Sequence, residues 1–224
     1  MKKITLLERQ KKNPQRYNIY LDGEFAFGAD EDTVVNFRLL KGKEISDEEL
    51  EKILFETEIG KLMERMYGLF SRRQRTEREV REYMRNLSFK RKLKDLEEIS
   101  AVIIDKVVDR LKSKSLLNDS QFATEWLLAR QSSKKKGAIA IRSELMQKGV
   151  SKEIIDQLMN DNITEENEQK LAIQALEKKL RSFRLLDKKD FTQKALQFLI
   201  RKGFTYETAK DVVEECIKKV YNNS

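Results

Sequence analysis

The sequence predicts a mainly α-helical protein: a tandem array of three three-helix repeats, preceded by a small N-terminal β-hairpin unit of three strands. Its 224 residues include only 8 Gly and 1 Pro, the residue types that most often interrupt helices. Charged residues make up 38% and hydrophobic residues 39%. These shares are typical of solvated helices around small cores and disfavour a β-sandwich or barrel rich in Gly and Pro turns. A short motif that recurs in the C-terminal half indicates the tandem arrangement.

The N-terminal unit, residues 1–45, combines β-forming segments with turn residues. Asp22-Gly23 favours a type I′ hairpin turn, because glycine accepts the positive φ which that turn requires. Three strands and a short helix are predicted in order: Ile4 to Gln10, Tyr17 to Leu21, Glu24 to Gly28, and Glu31 to Phe37. A unit of only three strands is marginally stable in water. We therefore expect it to pack against the segment that follows.

From Ser46 onward the pattern is helical. Ser46 with Glu49, and Thr76 with Glu79, are capping boxes that place a hydroxyl at the N-cap and a carboxylate three positions later. Apolar residues follow each box at spacings of three and four, as expected for one buried helix face. The segment Asn118-Asp119-Ser120 is predicted to cap the helix that opens the second repeat.

A six-residue motif occurs twice, at residues 148–153 and again 54 residues later at residues 202–207. Its pattern is Lys, Gly, an apolar residue, a hydroxyl residue, any residue and Glu. Gly149 and Gly203 within it are predicted to end a helix in the left-handed conformation, which glycine adopts without strain. Ser151 and Thr205 are then the N-caps of the next helix. Each copy therefore predicts two helices joined by a tight turn.

A degenerate third copy fits Arg81–Phe89, with Ser88-Phe89 in place of the glycine and its apolar neighbour, followed by a basic insertion over Lys90–Lys94. One further helix precedes each copy, and three helices can enclose a small core that one pair cannot. The predicted boundaries are 1–45 for the N-terminal unit and 46–117, 118–163 and 164–224 for the three repeats.

The net charge of +8 is concentrated in two short segments, which suggests a polyanionic partner. Residues 71–94 hold ten Lys and Arg against three Glu, and residues 130–148 hold six against one. The candidate phosphate-binding residues are Arg72, Arg73, Arg75, Arg78, Arg81, Arg85, Lys90, Arg91 and Lys92 in the first segment, and Arg130, Lys134, Lys135, Lys136 and Arg142 in the second. The alternative is that both segments are solvated surfaces. In the first, the arginines would pair with Glu77, Glu79 and Glu82 at exposed positions. In the second, the Lys134–Lys136 loop would be flexible and the stem of Arg130 would pack on a neighbouring helix.

The absence of histidine excludes Ser-His-Asp and Cys-His nucleophilic sites and His-ligated metals, and the single Cys216 excludes a Cys-built zinc site. The acidic residues form no recognisable catalytic arrangement, so we expect a protein that is not an enzyme and needs no metal or cofactor.

No apolar segment reaches the roughly 20 residues that span a bilayer, and charges interrupt the N-terminus too early for a signal peptide. We therefore expect a cytoplasmic protein, and a monomer, because no dimerisation heptad is present.

The order of several motifs resembles the RecX family, the bacterial regulators of the RecA recombinase, in its Gram-positive form with an N-terminal strand extension. The resemblance covers almost the whole chain and is carried by Arg16–Phe25, Ser115–Ala123, Ala129-Arg130, Lys136–Arg142, Glu144-Leu145, Lys148–Val150 and Phe198–Phe204. It implies a tandem of three-helix repeats that binds RecA–DNA nucleoprotein filaments in their helical groove. It also implies that the chain modulates, and mostly inhibits, strand exchange, and thereby DNA repair and the SOS response. The partners implied are the RecA filament and single- and double-stranded DNA, bound without sequence preference.

Two other functions remain open at this point. A stand-alone DNA-binding protein of nucleoid or transcription-factor type would also be basic and helical. A transcription factor, however, would need a recognition helix and dimer symmetry, of which the sequence shows no sign. A carboxylate-dependent nuclease is the third class, for which the scattered acids give no support.

Overall fold

The computed structural model describes residues 1–11, 13–183 and 186–221. It confirms the mainly helical fold with a small N-terminal sheet. Its elements are β1 (Lys2–Arg9), β2 (Arg16–Leu21), β3 (Glu24–Asp30), α1 (Glu31–Asn36), β4 (Glu44–Ile45), α2 (Asp47–Phe70), α3 (Glu77–Lys92), α4 (Ala101–Ser113), α5 (Asp119–Ala129), α6 (Ala138–Gln147), α7 (Lys152–Asn162), α8 (Glu165–Phe183), α9 (Lys188–Lys202) and α10 (Tyr206–Tyr221). None of the helices described is both long and apolar enough to cross a membrane.

The chain divides into two compact units. The first contains Met1–Gln74 and Val80–Leu117, and the second contains Arg75–Glu79 and Asn118–Ser224. The sheet and the first three-helix group, α2 to α4, lie in the first unit, apart from the opening turn of α3. The second three-helix group, α5 to α7, and the third, α8 to α10, lie in the second unit.

The N-terminal sheet is antiparallel with the strand order β3-β2-β1-β4. The predicted type I′ turn is confirmed, since Asp22 and Gly23 have φ of 50° and 93°. The prediction of three strands was wrong by one, because Glu44 and Ile45 pair with Lys3 and Lys2 to form β4. Two residues are too few to show the alternation by which a strand is recognised.

The sheet packs on α2, as its small size required. The apolar cluster beneath the strands includes Ile4, Ile19, Phe27 and Ile45, and Ile53 of α2 completes it. Ser46 caps α2 as predicted, with its hydroxyl accepting a hydrogen bond from the Glu49 amide at 3.2 Å. The first three-helix group has its own core, to which α2, α3 and α4 all contribute.

Ser88-Phe89, which stands in place of the turn glycine in the degenerate third copy, does not end a helix. Helix α3 continues to Lys92, and the buried Ser88 hydroxyl accepts a hydrogen bond from the Ile99 amide at 2.9 Å. The helix closes instead at Asp95, which has φ of 54°, and the Leu96 amide donates to the Arg91 carbonyl at 3.1 Å. Aspartate tolerates the left-handed conformation better than most residues, so it replaces the glycine of the other two groups.

The second and third groups contain the predicted glycine turns. Gly149 and Gly203 have φ of 80° and 92°, which confirms both as left-handed helix ends. The Ser151 hydroxyl accepts from the Ile154 amide at 3.4 Å, and the Thr205 hydroxyl accepts from the Thr208 amide at 3.1 Å, so both predicted N-caps are confirmed. Each group encloses a separate apolar core.

Candidate nucleic-acid interface

Three candidates of the first basic segment are neutralised by acids that lie outside the segment. The ion pairs are Arg81 Nη1 to Asp105 Oδ1 at 2.6 Å, Arg91 Nη2 to Glu58 Oε1 at 2.7 Å, and Lys92 Nζ to Glu98 Oε1 at 2.9 Å. Counting charges along the segment alone therefore overstates the positive charge that is available to a ligand.

Three other candidates of this segment point into solvent. Arg72, Arg85 and Lys90 are exposed, and none of them forms an ion pair with another residue that the structure describes. These three candidates are therefore available to an anion.

The remaining candidates of the first segment have local roles. Arg73 is exposed and donates through Nη1 to the Gln74 carbonyl at 2.9 Å. Arg75 is half-buried, and its buried Nε has no hydrogen-bond partner among the described residues. The stem of Arg78 covers the Gly149 turn so closely that a Cβ on Gly149 would lie 2.1 Å from its Cδ. Arg78 therefore contributes to packing as well as to the charge of the surface.

The opening turn of α3 is fixed to the second three-helix group by three contacts. The buried Thr76 hydroxyl donates to the Lys148 carbonyl at 2.7 Å and accepts from the Glu79 amide at 3.3 Å. The Glu77 amide donates to Asp119 Oδ1 at 2.9 Å, and Lys148 Nζ pairs with Glu79 Oε1 at 2.9 Å. Lys148, which carries one of the positive charges of the second segment, is thus partly neutralised.

Glu144 on α6 is the centre of the second basic segment. It accepts hydrogen bonds from Trp126 Nε1 at 2.8 Å, from Arg130 Nε at 2.6 Å and from Lys136 Nζ. Partial burial by itself would raise the pKa of Glu144, but the bonds from Lys136, Arg130 and Trp126 outweigh it and lower the pKa to about 2. The carboxylate is therefore ionised at all ordinary pH values and holds two of the candidate cations.

Trp126 has little surface available for a nucleobase. The Arg130 guanidinium carbon lies 4.0 Å from the centre of its ring, Lys148 Nζ lies 5.2 Å away, and Phe122 stacks on it at 5.6 Å. The Arg130 guanidinium thus lies over a side chain of α5, the helix that Arg130 itself caps, whereas the alternative interpretation expected the stem of Arg130 to pack on a neighbouring helix.

The Lys134–Lys136 loop follows a π-helical segment, Arg130–Lys134, that extends α5. Lys134 is exposed, and Lys135 is half-buried in the left-handed conformation with φ of 48°. Neither forms an ion pair within the described part of the chain. Arg142 on α6, in contrast, is paired with Asp156 of α7.

Lys202, which was not among the candidates, lies against this loop. Its Nζ donates to the Lys134 carbonyl at 2.5 Å, and its own carbonyl accepts from the Gly137 amide at 3.0 Å. Burial lowers the pKa of Lys202, and the positive charges of Lys136, Lys178, Lys134 and Lys179 lower it further. The recurring motif carried the signal, since Lys202 occupies the same position before a turn glycine as Lys148, which belongs to the second basic segment.

Among residues 1–11, 13–183 and 186–221, no group of three or more His, Cys, Asp or Glu side chains is placed to hold a metal ion. The site is therefore a set of exposed and half-buried cations, with Glu144 at its centre in the second unit. Its chemistry suits binding of phosphate groups.

Comparison with known proteins identifies the family. Residues 2–46 match the regulatory protein RecX N-terminal domain, residues 118–159 the RecX second three-helix domain, and residues 165–213 the RecX third three-helix domain. Regulatory protein RecX of Listeria monocytogenes serotype 4a (strain HCC23) is 31% identical over 221 residues, which are 97% of this chain and 77% of that protein. Regulatory protein RecX of Bacillus subtilis (strain 168) is 30% identical over 212 residues, 95% of this chain and 76% of that protein.

A solved structure agrees with these relatives. The crystal structure of a regulatory protein RecX superposes with a TM-score of 0.72 at 28% identity, over 96% of this chain and 100% of that one. The sequence matches extend over nearly the full length, and the folds agree along the same length. The chain belongs to the RecX family of regulatory proteins.

Proposed function

We propose that this chain binds RecA–DNA nucleoprotein filaments in their helical groove and inhibits RecA by occupying that groove. Membership of the RecX family implies regulation of RecA, and RecX regulatory proteins are not enzymes. The basic segments anchor the chain on the DNA of the filament, while helix faces between them contact RecA subunits. The chain acts as a cytoplasmic monomer. By occupying the groove it limits strand exchange, and with it DNA repair and the SOS response.

The observation that carries the proposal, beside the family itself, is the set of exposed and half-buried cations that acids leave available. Arg72, Arg85 and Lys90 on the first unit, and Lys134 and Lys135 on the second, form no ion pair with a described residue. Such side chains replace the counterions around phosphates, which supplies binding free energy without reading the bases. Binding of this kind fits a regulator that must act on filaments of any sequence.

Co-sedimentation tests the proposal directly. RecA is assembled on single-stranded DNA with nucleotide, and pelleting of the chain with the filament is compared with pelleting by DNA alone and by RecA alone. We expect preferential pelleting with the filament. Equal binding to naked DNA and to filament would contradict the proposal and favour the stand-alone DNA-binding function.

Charge variants identify which part of the surface binds the DNA. The triple variant R72Q/R85Q/K90Q removes three exposed cations of the first unit. If each contacts a phosphate, the slope of log affinity against log salt falls by about 2 on single-stranded DNA, since each contact contributes about 0.7.

The matched control is K41Q/K52Q/K106Q, which removes three exposed lysines elsewhere in the same unit. These lysines also lack an ion pair with any described side chain. A wild-type slope and full RecA inhibition by R72Q/R85Q/K90Q, or an equal loss in the control, would show that the first basic segment is only a solvated surface.

A further inference from the structure

The second and third three-helix groups are joined by backbone contacts around two glycines. The Ile139 amide donates to the Gly203 carbonyl at 3.0 Å, next to the bond between the Gly137 amide and the Lys202 carbonyl. A Cβ on Gly137 would lie 2.5 Å from the Gly203 carbonyl oxygen. Because backbone meets backbone at this point, the Lys134–Lys136 loop has a fixed position against the C-terminal end of α9.

This junction gathers positive charge from three separate parts of the sequence. Lys134 and Lys136 come from the loop, Lys202 from the end of α9, and Lys178 and Lys179 from α8. We call these five residues the junction lysines. Only Lys136 among them is paired with an acid within the described residues, and that acid, Glu144, is shared with Arg130.

The second carboxylate near the junction does not neutralise the lysines. Glu168 of α8 is 6% exposed, and its Oε2 accepts from the Ala138 amide at 3.2 Å. Its other oxygen is buried without a hydrogen-bond partner among described groups, and burial raises the pKa of this carboxyl above its ordinary value. Glu168 therefore caps the first turn of α6, and it forms no ion pair with a junction lysine among the described residues.

Holding like charges together costs free energy that a bound anion would relieve. The depressed pKa of Lys202 is a sign of that cost, since burial and its lysine neighbours both disfavour the charged amine. Lysine ammonium groups are compact point charges, which suit phosphate oxygens but do not read base edges. The exposed Lys178 and Lys179 and the fixed Lys202 together offer such a surface.

We propose that the junction lysines bind the phosphodiester backbone of DNA, so that the strand crosses from the second three-helix group onto the third. This deepens the proposed function, on which it rests, by adding Lys178, Lys179 and Lys202 to the DNA-binding surface. The geometry behind it is the backbone contact that fixes the loop beside α9, together with the observation that, among the described residues, only Lys136 of the five lysines is paired with an acid.

The test is binding of the full chain to fluorescently labelled oligo(dT), and to a duplex of equal length, over a range of salt concentrations. The variant K178Q/K179Q removes two exposed charges that make no ion pair with a described residue. We expect the salt slope to fall by about 1.4 on the single strand if the strand is the true ligand, and by about 1.8 on the duplex if the duplex is. The arm that shows the fall identifies the form of DNA.

The matched control is K188Q/K189Q, which removes two adjacent exposed lysines at the other end of α9. Lys188 lies about 21 Å along the helix from Lys202, at 1.5 Å per residue, which is beyond the screening length at physiological salt. We expect this control to keep the wild-type slope and affinity in both arms.

Two results would overturn the inference: K178Q/K179Q keeping the wild-type slope with both DNA forms, or the control losing as much as the variant. Failure of the wild-type chain to bind either naked DNA would also overturn it. None of these outcomes decides the proposed function, which depends on co-sedimentation with the RecA filament. Conversely, the junction lysines could pass this test even if the chain did not prefer the filament.

Discussion

Replacement of Gly203 by alanine should destabilise the second unit strongly, for two separable reasons. Gly203 has φ of 92°, and left-handed backbone costs a residue with a Cβ about 1 kcal/mol or more. The new Cβ would also lie 2.3 Å from the Cβ of Ala140 and 2.4 Å from its backbone nitrogen. The backbone at Ala140 would have to move to relieve this contact. By analogy with overpacked cores, that movement lowers the free energy of unfolding by about 2 kcal/mol. We expect the free energy of unfolding to fall by about 3 kcal/mol.

Two control substitutions separate these contributions. Gly42 also has positive φ, 93°, but an added Cβ would meet nothing within 4 Å, so Gly42→Ala should cost only about 1 kcal/mol. Gly68 lies inside α2 with open space around it, so Gly68→Ala should stabilise the chain by about 0.5 kcal/mol through helix propensity.

Urea unfolding measures these changes in the free energy of unfolding. The single tryptophan, Trp126, reports on the second unit by fluorescence, and far-ultraviolet circular dichroism reports on the helices of both units. The reasoning would be refuted if Gly203→Ala cost no more than Gly42→Ala, because the close approach to Ala140 would then contribute nothing.

Three further predictions follow from the charged groups. The pKa of Glu144 is lowered from 4.5 to about 2, so its stabilisation is complete above pH 4.5 and is lost as the pH falls towards 2. The shift corresponds to about 3 kcal/mol, of which we expect about half because the side chain is 21% exposed. Acid titration of unfolding should show this loss in the wild type and a flatter curve in Glu144→Gln. Lys202, with its lowered pKa, should be acetylated faster than the exposed Lys188 at mildly alkaline pH, and bound oligo(dT) should slow the acetylation of Lys202. Mass spectrometry after brief labelling measures both rates. Equal rates for Lys202 and Lys188 would contradict the depressed pKa. Arg85→Gln should lower the salt slope of DNA binding without changing stability. Arg81→Gln should remove the ion pair with Asp105, lower the free energy of unfolding by about 0.5 kcal/mol and leave the salt slope unchanged. The same slope change in both variants would contradict this division.

The features that the sequence predicts correctly are those whose cause is local. The turns at Gly149 and Gly203 and the caps at Ser46 and Ser151 depend on a few neighbouring backbone atoms, so residue type alone identifies them. The type I′ turn at Asp22-Gly23 belongs to the same class. The helical spacing of apolar residues likewise needs only the sequence itself.

The errors arise where a distant partner decides the outcome. Strand β4 exists because Lys2 and Lys3 are available to pair with it, and nothing within Glu44 and Ile45 signals this. In the first three-helix group the left-handed turn lies at Asp95, past the position that the degenerate copy aligns with the turn glycines, and the Ile99 amide reaches back to the Ser88 hydroxyl from eleven residues later.

The same distinction applies to the candidate site. Along the sequence the ten basic residues of the first segment have only three acids near them, yet Asp105 and Glu58 reach Arg81 and Arg91 from other helices. Conversely, Lys202 attracts no notice as a site residue until the fold places it on the Lys134 carbonyl. Which of the candidate cations contact DNA therefore stays a prediction for the charge variants.

The contact of Thr76 with the second three-helix group determines where the chain can be divided. A fragment that begins at Asn118 would lose the hydroxyl that caps the Lys148 carbonyl, and it would lose the Glu77 amide that satisfies Asp119. It would also uncover Gly149, against which the stem of Arg78 is packed. A fragment that begins at Ser71 keeps all of these contacts. The Gly149 turn should therefore resist limited proteolysis in the longer fragment and be cut in the shorter one, although residues 75–79, which make these contacts, lie far from Asn118 in the sequence.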